Sequence, residues 1–287
     1  ALAPVDMAIA NWKFVVQARG AWSRINETLT ILVGSKAPMN LPLPLKTFRV
    51  EKLTVASPAS GTVLLSEISF ELKAGQALGV IGSSGGGKTS LMRAMTGVWS
   101  ALRGSIRFDD ADLSQWPESS LGSLIGYLPQ DVSLMDGTIG ENIARLVSDA
   151  DPEDIVAAAK AAGVHQMIVR MPDGYQTQVG SQGQVLSAGQ RQRIGLARAL
   201  FGNPFVVMMD EPNSNLDAEG ELALTEAINA IKARGGIAIV IAHRPSALAA
   251  VDLMAVIQNG KMVAFGTKEE VMGQGQNSHP PKNVVAV

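Results

Sequence analysis

The chain has 287 residues, 46% of them hydrophobic, with a formal net charge of −2 and no cysteine. That apolar content is ample for a large core and excludes wholesale disorder, while the balanced, dispersed charges give no electrostatic case for a nucleic-acid partner. Without cysteine there is neither a disulfide framework nor a thiolate metal site, no stretch approaches the roughly 18 apolar residues of a membrane helix, and no segment reads as a signal peptide.

The first residue is alanine, so the chain is expected to be an excised or processed piece of something longer. Residues 4 to 33 read as a helix, with Pro4 suited to a first turn and Val5, Ile9, Trp12 and Val16 at spacings of three and four. "SKAPMNLPLPLK", residues 35–46, is proline-rich and reads as an extended linker. Strand-like runs follow, "FRVEKLTVA" and "TVLLSEISFEL", then "QALGVIG", a short apolar strand leading into a glycine loop. Beyond it "SIRF", "LIGYLP", "FVVMMD", "IAIVIA" and "MAVIQ" read as strands alternating with helical stretches, which predicts a parallel sheet covered on both faces. Residues 132–190 carry no convincing strand and read as a helical insertion, and 275–287 as a loose tail.

Gly82-Ser83-Ser84-Gly85-Gly86-Gly87-Lys88-Thr89, followed by Ser90, matches G-x-x-x-x-G-K-[ST] between a buried strand and a helix. Backbone N–H groups of such a loop wrap the oxygens of a triphosphate, and side chains would keep those groups too far away. The helix from Lys88 adds partial positive charge at its N-terminus. Lys88 reaches the β- and γ-phosphates, and the Thr89 hydroxyl is a candidate ligand for Mg²⁺.

"FVVMMDEPNSNLD" is an apolar strand ending in Asp210 and Glu211. Ligands of parallel sheets sit at the strands' carboxyl ends, so Asp210 is placed to anchor Mg²⁺. Glu211 is expected on the other side of the strand, where it could polarise a water aimed at the γ-phosphate.

"LSAGQRQRIGLARAL", residues 186–200, resembles the signature motif of the ATP-binding cassette family, and with it in family order stand Gln130 in "YLPQD", "SNLD" at 214–217 and His243 in "IAHRP". The resemblance runs from about residue 47 to 274 and implies an α/β fold: a P-loop NTPase (RecA-like) parallel-sheet core with an antiparallel β subdomain and a helical insertion, preceded here by an N-terminal helix. It implies ATP and Mg²⁺ as ligands, with Gln130 touching the ion beside Thr89 and Asp210. It further implies that His243 contacts the γ-phosphate and the attacking water. Ser187, Gly189 and Gln190 are implied to reach ATP held by a second copy, in a head-to-tail homodimer, and Asp217, in the D-loop-like "SNLD", is implied to be a nucleotide-binding residue.

"TQVGSQG", "DGTIGENIARL" and "AFGTKEEVM" are similar to exporter segments, and residues 1–34 resemble the cytoplasmic end of the last membrane helix in ATPase/permeases of type I protein secretion. This subgroup implies a transmembrane domain in the same parent chain, an adaptor and an outer-membrane channel as partners, and a place on the cytoplasmic face of the bacterial inner membrane. Three positions depart from the family pattern: Ala188 for the first signature glycine, Ser57 where many members stack an aromatic on adenine, and Ser181 for an exporter glutamate. A soluble cassette ATPase of translation or DNA repair is disfavoured by the single cassette and the lack of basic runs. A catalytically dead scaffold is disfavoured by intact Lys88, Asp210, Glu211 and His243.

Overall fold

A computed structural model describes residues 3–33, 41–242 and 244–274. The first half of the proline-rich linker, His243 and the expected tail at 275–287 therefore lie outside the described residues. The chain forms two compact units, residues 1–40 and 41–287. The first is a single helix, α1 (Ala3–Val33), which runs through Gly20 unbroken. Among the described residues, no helix is long and apolar enough to cross a membrane.

The second unit runs β1 (Thr47–Ala56), β2 (Val63–Lys73), β3 (Ala77–Gly82), α2 (Lys88–Met95), β4 (Arg103–Phe108), β5 (Ala111–Asp112), α3 (Glu118–Leu124) and β6 (Ile125–Leu128). Helices α4 (Ile139–Ile143), α5 (Pro152–Ala161) and α6 (His165–Val169) follow. It closes with α7 (Ala188–Leu200), β7 (Val206–Asp210), α8 (Ala218–Ala233), β8 (Ile237–Ile241), β9 (Leu253–Gln258), β10 (Lys261–Thr267) and α9 (Lys268–Gln274).

Two sheets result. One has the order β10-β9-β3-β8-β7-β6, the other β2-β1-β4-β5. In the larger sheet β9, β3, β8, β7 and β6 are mutually parallel, and β10 pairs antiparallel to β9 at the edge. The smaller sheet is antiparallel throughout.

The larger sheet separates two cores, and its strands are apolar on both faces for that reason. Val206 and Met208 of β7, with Ile237, Ile239 and Ile241 of β8, face a core shared with Phe48, Leu72 and Phe108 of the smaller sheet. The alternate residues Val207, Met209, Ala238 and Val240 face the opposite core, with Ile194 of α7 and Ile228 of α8. Each such fully buried Val, Ile, Leu, Phe or Met side chain contributes about 1.5–3 kcal/mol of transfer free energy. This double lining fixes the carboxyl ends of β3 and β7 side by side with β8.

Two strand expectations need correction. "SIRF" belongs to β4, which pairs antiparallel with β1 rather than joining the parallel sheet. Its alternation of half-buried and buried residues over 105–108 is the pattern of a strand with one wetter face, whereas β7 and β8 are buried at every position. β10 was not anticipated. It alternates half-buried with exposed residues, and its turn holds Asn259 at φ 50° and Gly260 at φ 74°. Asn-Gly between strand-like runs is a short-range hairpin signal legible in the sequence.

Candidate active site

The glycine loop follows β3 directly and ends at α2, with Gly87 capping the helix in left-handed conformation. Two of its glycines are demanded by the protein's own packing. At Gly82 (φ 154°) a Cβ would lie 2.0 Å from the Ile257 carbonyl oxygen, and at Gly87 (φ 101°) 2.7 Å from Leu65 Cδ2. Gly85 has nothing within 4 Å and opens outward. Close approach of a ligand is thus one reason for glycine here, and close approach of β9 and β2 is another. Ser83, Ser84 and Gly85 are exposed, Thr89 and Ser90 are half-buried, and Gly86 is buried.

Lys88 is buried, and its ammonium donates to the carbonyls of Gly82 at 3.0 Å and Ser83 at 2.9 Å, inside the curve of the loop. Burial lowers its pKa, against the opposing pull of Glu211 and Asp210. The lysine therefore lies close enough to both carboxylates to feel their charge.

Asp210, the last residue of β7, is 1% exposed. Neither of its carboxylate oxygens has a hydrogen-bond partner. Burial pushes its pKa up; the Thr89 hydroxyl pulls it down without reaching hydrogen-bond geometry, Glu211 adds to the rise, and Lys88 and Arg93 offset it. A buried carboxylate in this condition is costly unless a cation completes it. Among the described residues no cluster of three acidic or histidine side chains could cage a metal ion. One carboxylate with a neighbouring hydroxyl suits Mg²⁺, which retains several waters and takes phosphate oxygens as ligands. The residues fit the ion.

Glu211 lies just beyond β7, so strand alternation does not position it. Its backbone turns sharply, at φ 48°, a conformation rare outside glycine and concentrated at functional sites. Its N–H donates to the Ile241 carbonyl at 2.9 Å, and its carboxylate accepts Gln130 Nε2 at 3.1 Å. Gln130 itself is exposed, two residues past β6. The structure thus brings Lys88, Thr89, Gln130, Asp210 and Glu211 to one end of the parallel sheet, while His243 lies outside the described residues.

The signature segment stands apart from that cluster. Ser187 is exposed and caps α7: its Oγ accepts the Gln190 N–H at 3.2 Å, and its own N–H donates to Gln190 Oε1 at 2.8 Å. A Cβ at Gly189 would come within 2.9 Å of the Asn215 carbonyl, so this glycine also lets α7 sit closely on the segment after Glu211. Asp217 caps α8 through the Gly220 N–H at 2.9 Å and pairs with Arg193 of α7; both interactions, the cap first, lower its pKa. Ser57 sits in the β1–β2 turn, its N–H donating to the Thr62 carbonyl at 2.8 Å. Ser181 is exposed at the start of a short 3-10 turn. One residue absent from the sequence expectations is Gln192, 2% exposed in the second turn of α7. A glutamine among the polar residues of a helix reads as surface, and no sequence signal marked it as buried.

A family profile described as ABC transporter matches residues 65–214. The chain is 56% identical over 274 residues to the type I secretion system ATP-binding protein PrsD of Rhizobium meliloti, a match covering 96% of this chain and 47% of that protein. It is 42% identical over 209 residues to the heavy metal tolerance protein of Schizosaccharomyces pombe, covering 73% of this chain and 25% of that one. Its structure matches that of a bacterial Atm1-family ABC exporter with ATP bound, at a TM-score of 0.77 and 27% identity over 92% of this chain and 48% of the other. The chain thus spans about half the length of the first relative and a quarter of the second. With the profile matching more than half of its residues, the chain belongs to the ABC transporter family, as an ATP-hydrolysing cassette with the P-loop NTPase fold.

Proposed function

We propose that the chain is the motor domain of an exporter that secretes proteins by the type I route, seated at the cytoplasmic face of a bacterial inner membrane. The observation that carries this reading is the identity to the secretion protein PrsD, which extends over 274 residues, well past the profile-matched 65–214. Relatives named for multidrug efflux match less closely, one at 38% over 260 residues, and would favour a small-molecule cargo instead.

The proposed chemistry follows from the cluster at the sheet end. Loop amides and the α2 N-terminus hold the phosphates of ATP, and Lys88 exchanges its carbonyl partners for phosphate oxygens. Thr89, Asp210 and Gln130 would hold Mg²⁺, which when bound neutralises charge on the β- and γ-phosphates. The Glu211 carboxylate, oriented by Gln130, accepts a proton from the water that attacks the γ-phosphate. His243 is proposed to steady that water. Ser187, Gly189, Gln190 and Asp217 are proposed to close the nucleotide of a second copy head to tail, which the exposed, capped tip of α7 supports. A transmembrane domain of the parent chain, an adaptor and an outer-membrane channel complete the proposed assembly.

Two measurements test the reading. Purified chain should release phosphate from ATP only with Mg²⁺ present. A host whose full-length transporter carries Glu211→Gln should cease to secrete its protein cargo into the medium, and undiminished secretion would sink the proposal.

A further inference from the structure

Glu211 keeps an unfavourable backbone conformation, so something must hold it there. Its N–H is fixed by β8 through the Ile241 carbonyl, and its carboxylate by Gln130. Its carbonyl oxygen lies 3.3 Å from Gln192 Nε2, whose two hydrogens are shared among it, the Pro212 carbonyl at 2.6 Å and Ser214 Oγ at 3.3 Å. The other end of this amide, Gln192 Oε1, accepts the Asn215 N–H at 3.2 Å and the Ser214 hydroxyl at 3.4 Å.

Residues 211–215 lie outside any strand or helix, and their backbone is tied by the Glu211 N–H on Ile241 of β8 and by the Ser214 N–H, which donates to the Glu211 carbonyl at 3.2 Å. One buried side chain of α7 adds bonds to the Glu211 and Pro212 carbonyls and to the Asn215 N–H, groups that a ladder would otherwise pair. The exposed tip of the same helix carries Ser187, one and a half turns away from Gln192 by chain order. Gly189 allows the helix start to press on the Asn215 carbonyl, so the helix and the segment have little freedom to slide apart.

We infer that Gln192 is a positioning residue for hydrolysis: it fixes the backbone of Glu211 from α7 and transmits displacements of the signature tip to the water-orienting carboxylate. This rests on the reading of Glu211 as the residue that orients water. A residue that only packs the core would change stability. A residue that positions Glu211 changes turnover while leaving nucleotide binding intact, because the phosphate loop lies on other elements.

The test compares Gln192→Met, of similar length but without the hydrogen bonds, with Gln192→Glu, which keeps size and the acceptor but loses the donor. Each is made in the full chain beside Glu211→Gln, with steady-state kinetics and ATP binding measured in parallel. For each folded variant at Gln192, kcat should fall about tenfold or more while KM and the ATP dissociation constant stay within about twofold. If Gln192→Met fails to fold, Gln192→Glu decides. A native kcat in a folded Gln192 variant, with Glu211→Gln inactive, overturns the inference alone. A native kcat in Glu211→Gln removes the reading beneath it.

Discussion

The N–H of Gly260 donates to the Gly86 carbonyl at 3.2 Å, so the phosphate loop leans on the turn of the β9–β10 hairpin. Ile257, at the end of β9, lies under the same loop, its carbonyl oxygen occupying the space a side chain at Gly82 would need. The loop is thus braced from beneath by an edge hairpin, and its outward face at Gly85 stays open.

Gly82→Ala should accordingly destabilise far more than Gly85→Ala. The first forces a Cβ against a backbone carbonyl at 2.0 Å in addition to left-handed strain, a cost of about 3 kcal/mol or more. The second carries the strain of φ 74° but meets nothing within 4 Å, a cost of about 1–2 kcal/mol. Urea unfolding midpoints measure the difference, and equal midpoints would contradict the bracing.

This bracing shows where sequence reading ran short. The glycine loop, the apolar strands feeding it and the acidic end of β7 were legible, because a strand buried on both faces leaves a continuous apolar run and a phosphate loop leaves a fixed spacing. β10 was not, since an edge strand needs only half-burial and its residues alternate weakly; the Asn259-Gly260 turn was the available clue. The surroundings of Glu211 were also hidden. Its position follows from a backbone turn and from Gln192, a long-range contact that no local pattern encodes.

Glu211→Gln should bind ATP as the native chain does and lose hydrolysis by about a hundredfold or more, the scale of a general base. With turnover blocked, nucleotide-bound dimers should accumulate at high ATP. Phosphate release and light scattering check the two halves of this expectation. Hydrolysis near the native rate would remove Glu211 from its role.

Gln130→Ala removes the donor to Glu211 Oε2 and should lower kcat by about tenfold, one lost hydrogen bond to a charged group. Because Gln130 acts on the water through Glu211, the double variant with Glu211→Gln should, at saturating Mg²⁺, be little slower than Glu211→Gln alone. Rates of the two single variants and the double variant decide the matter, and losses that simply add would show that Gln130 acts elsewhere.

Asp109 gives a pH-dependent prediction away from the active site. It stands at φ 51° after β4, and its carboxylate accepts the N–H groups of Leu45 and Lys46 at 3.0 Å each and of Thr47 at 2.7 Å, pinning the chain where it enters β1. Burial pushes this carboxyl up, but those three amides and the Lys46 charge outweigh it and leave the pKa below the ordinary value. A carboxyl depressed in the folded state stabilises the fold above its unfolded pKa of about 3.9, and that contribution disappears as pH falls through the lower folded value. Asp109→Asn keeps one acceptor but no charge, so it should lose about 1 kcal/mol at pH 7. The gap between variant and native protein should then narrow below about pH 4. Denaturant unfolding at the two pH values measures it; a gap that persists unchanged into acid would mean that the Asp109 charge contributes nothing to holding β1.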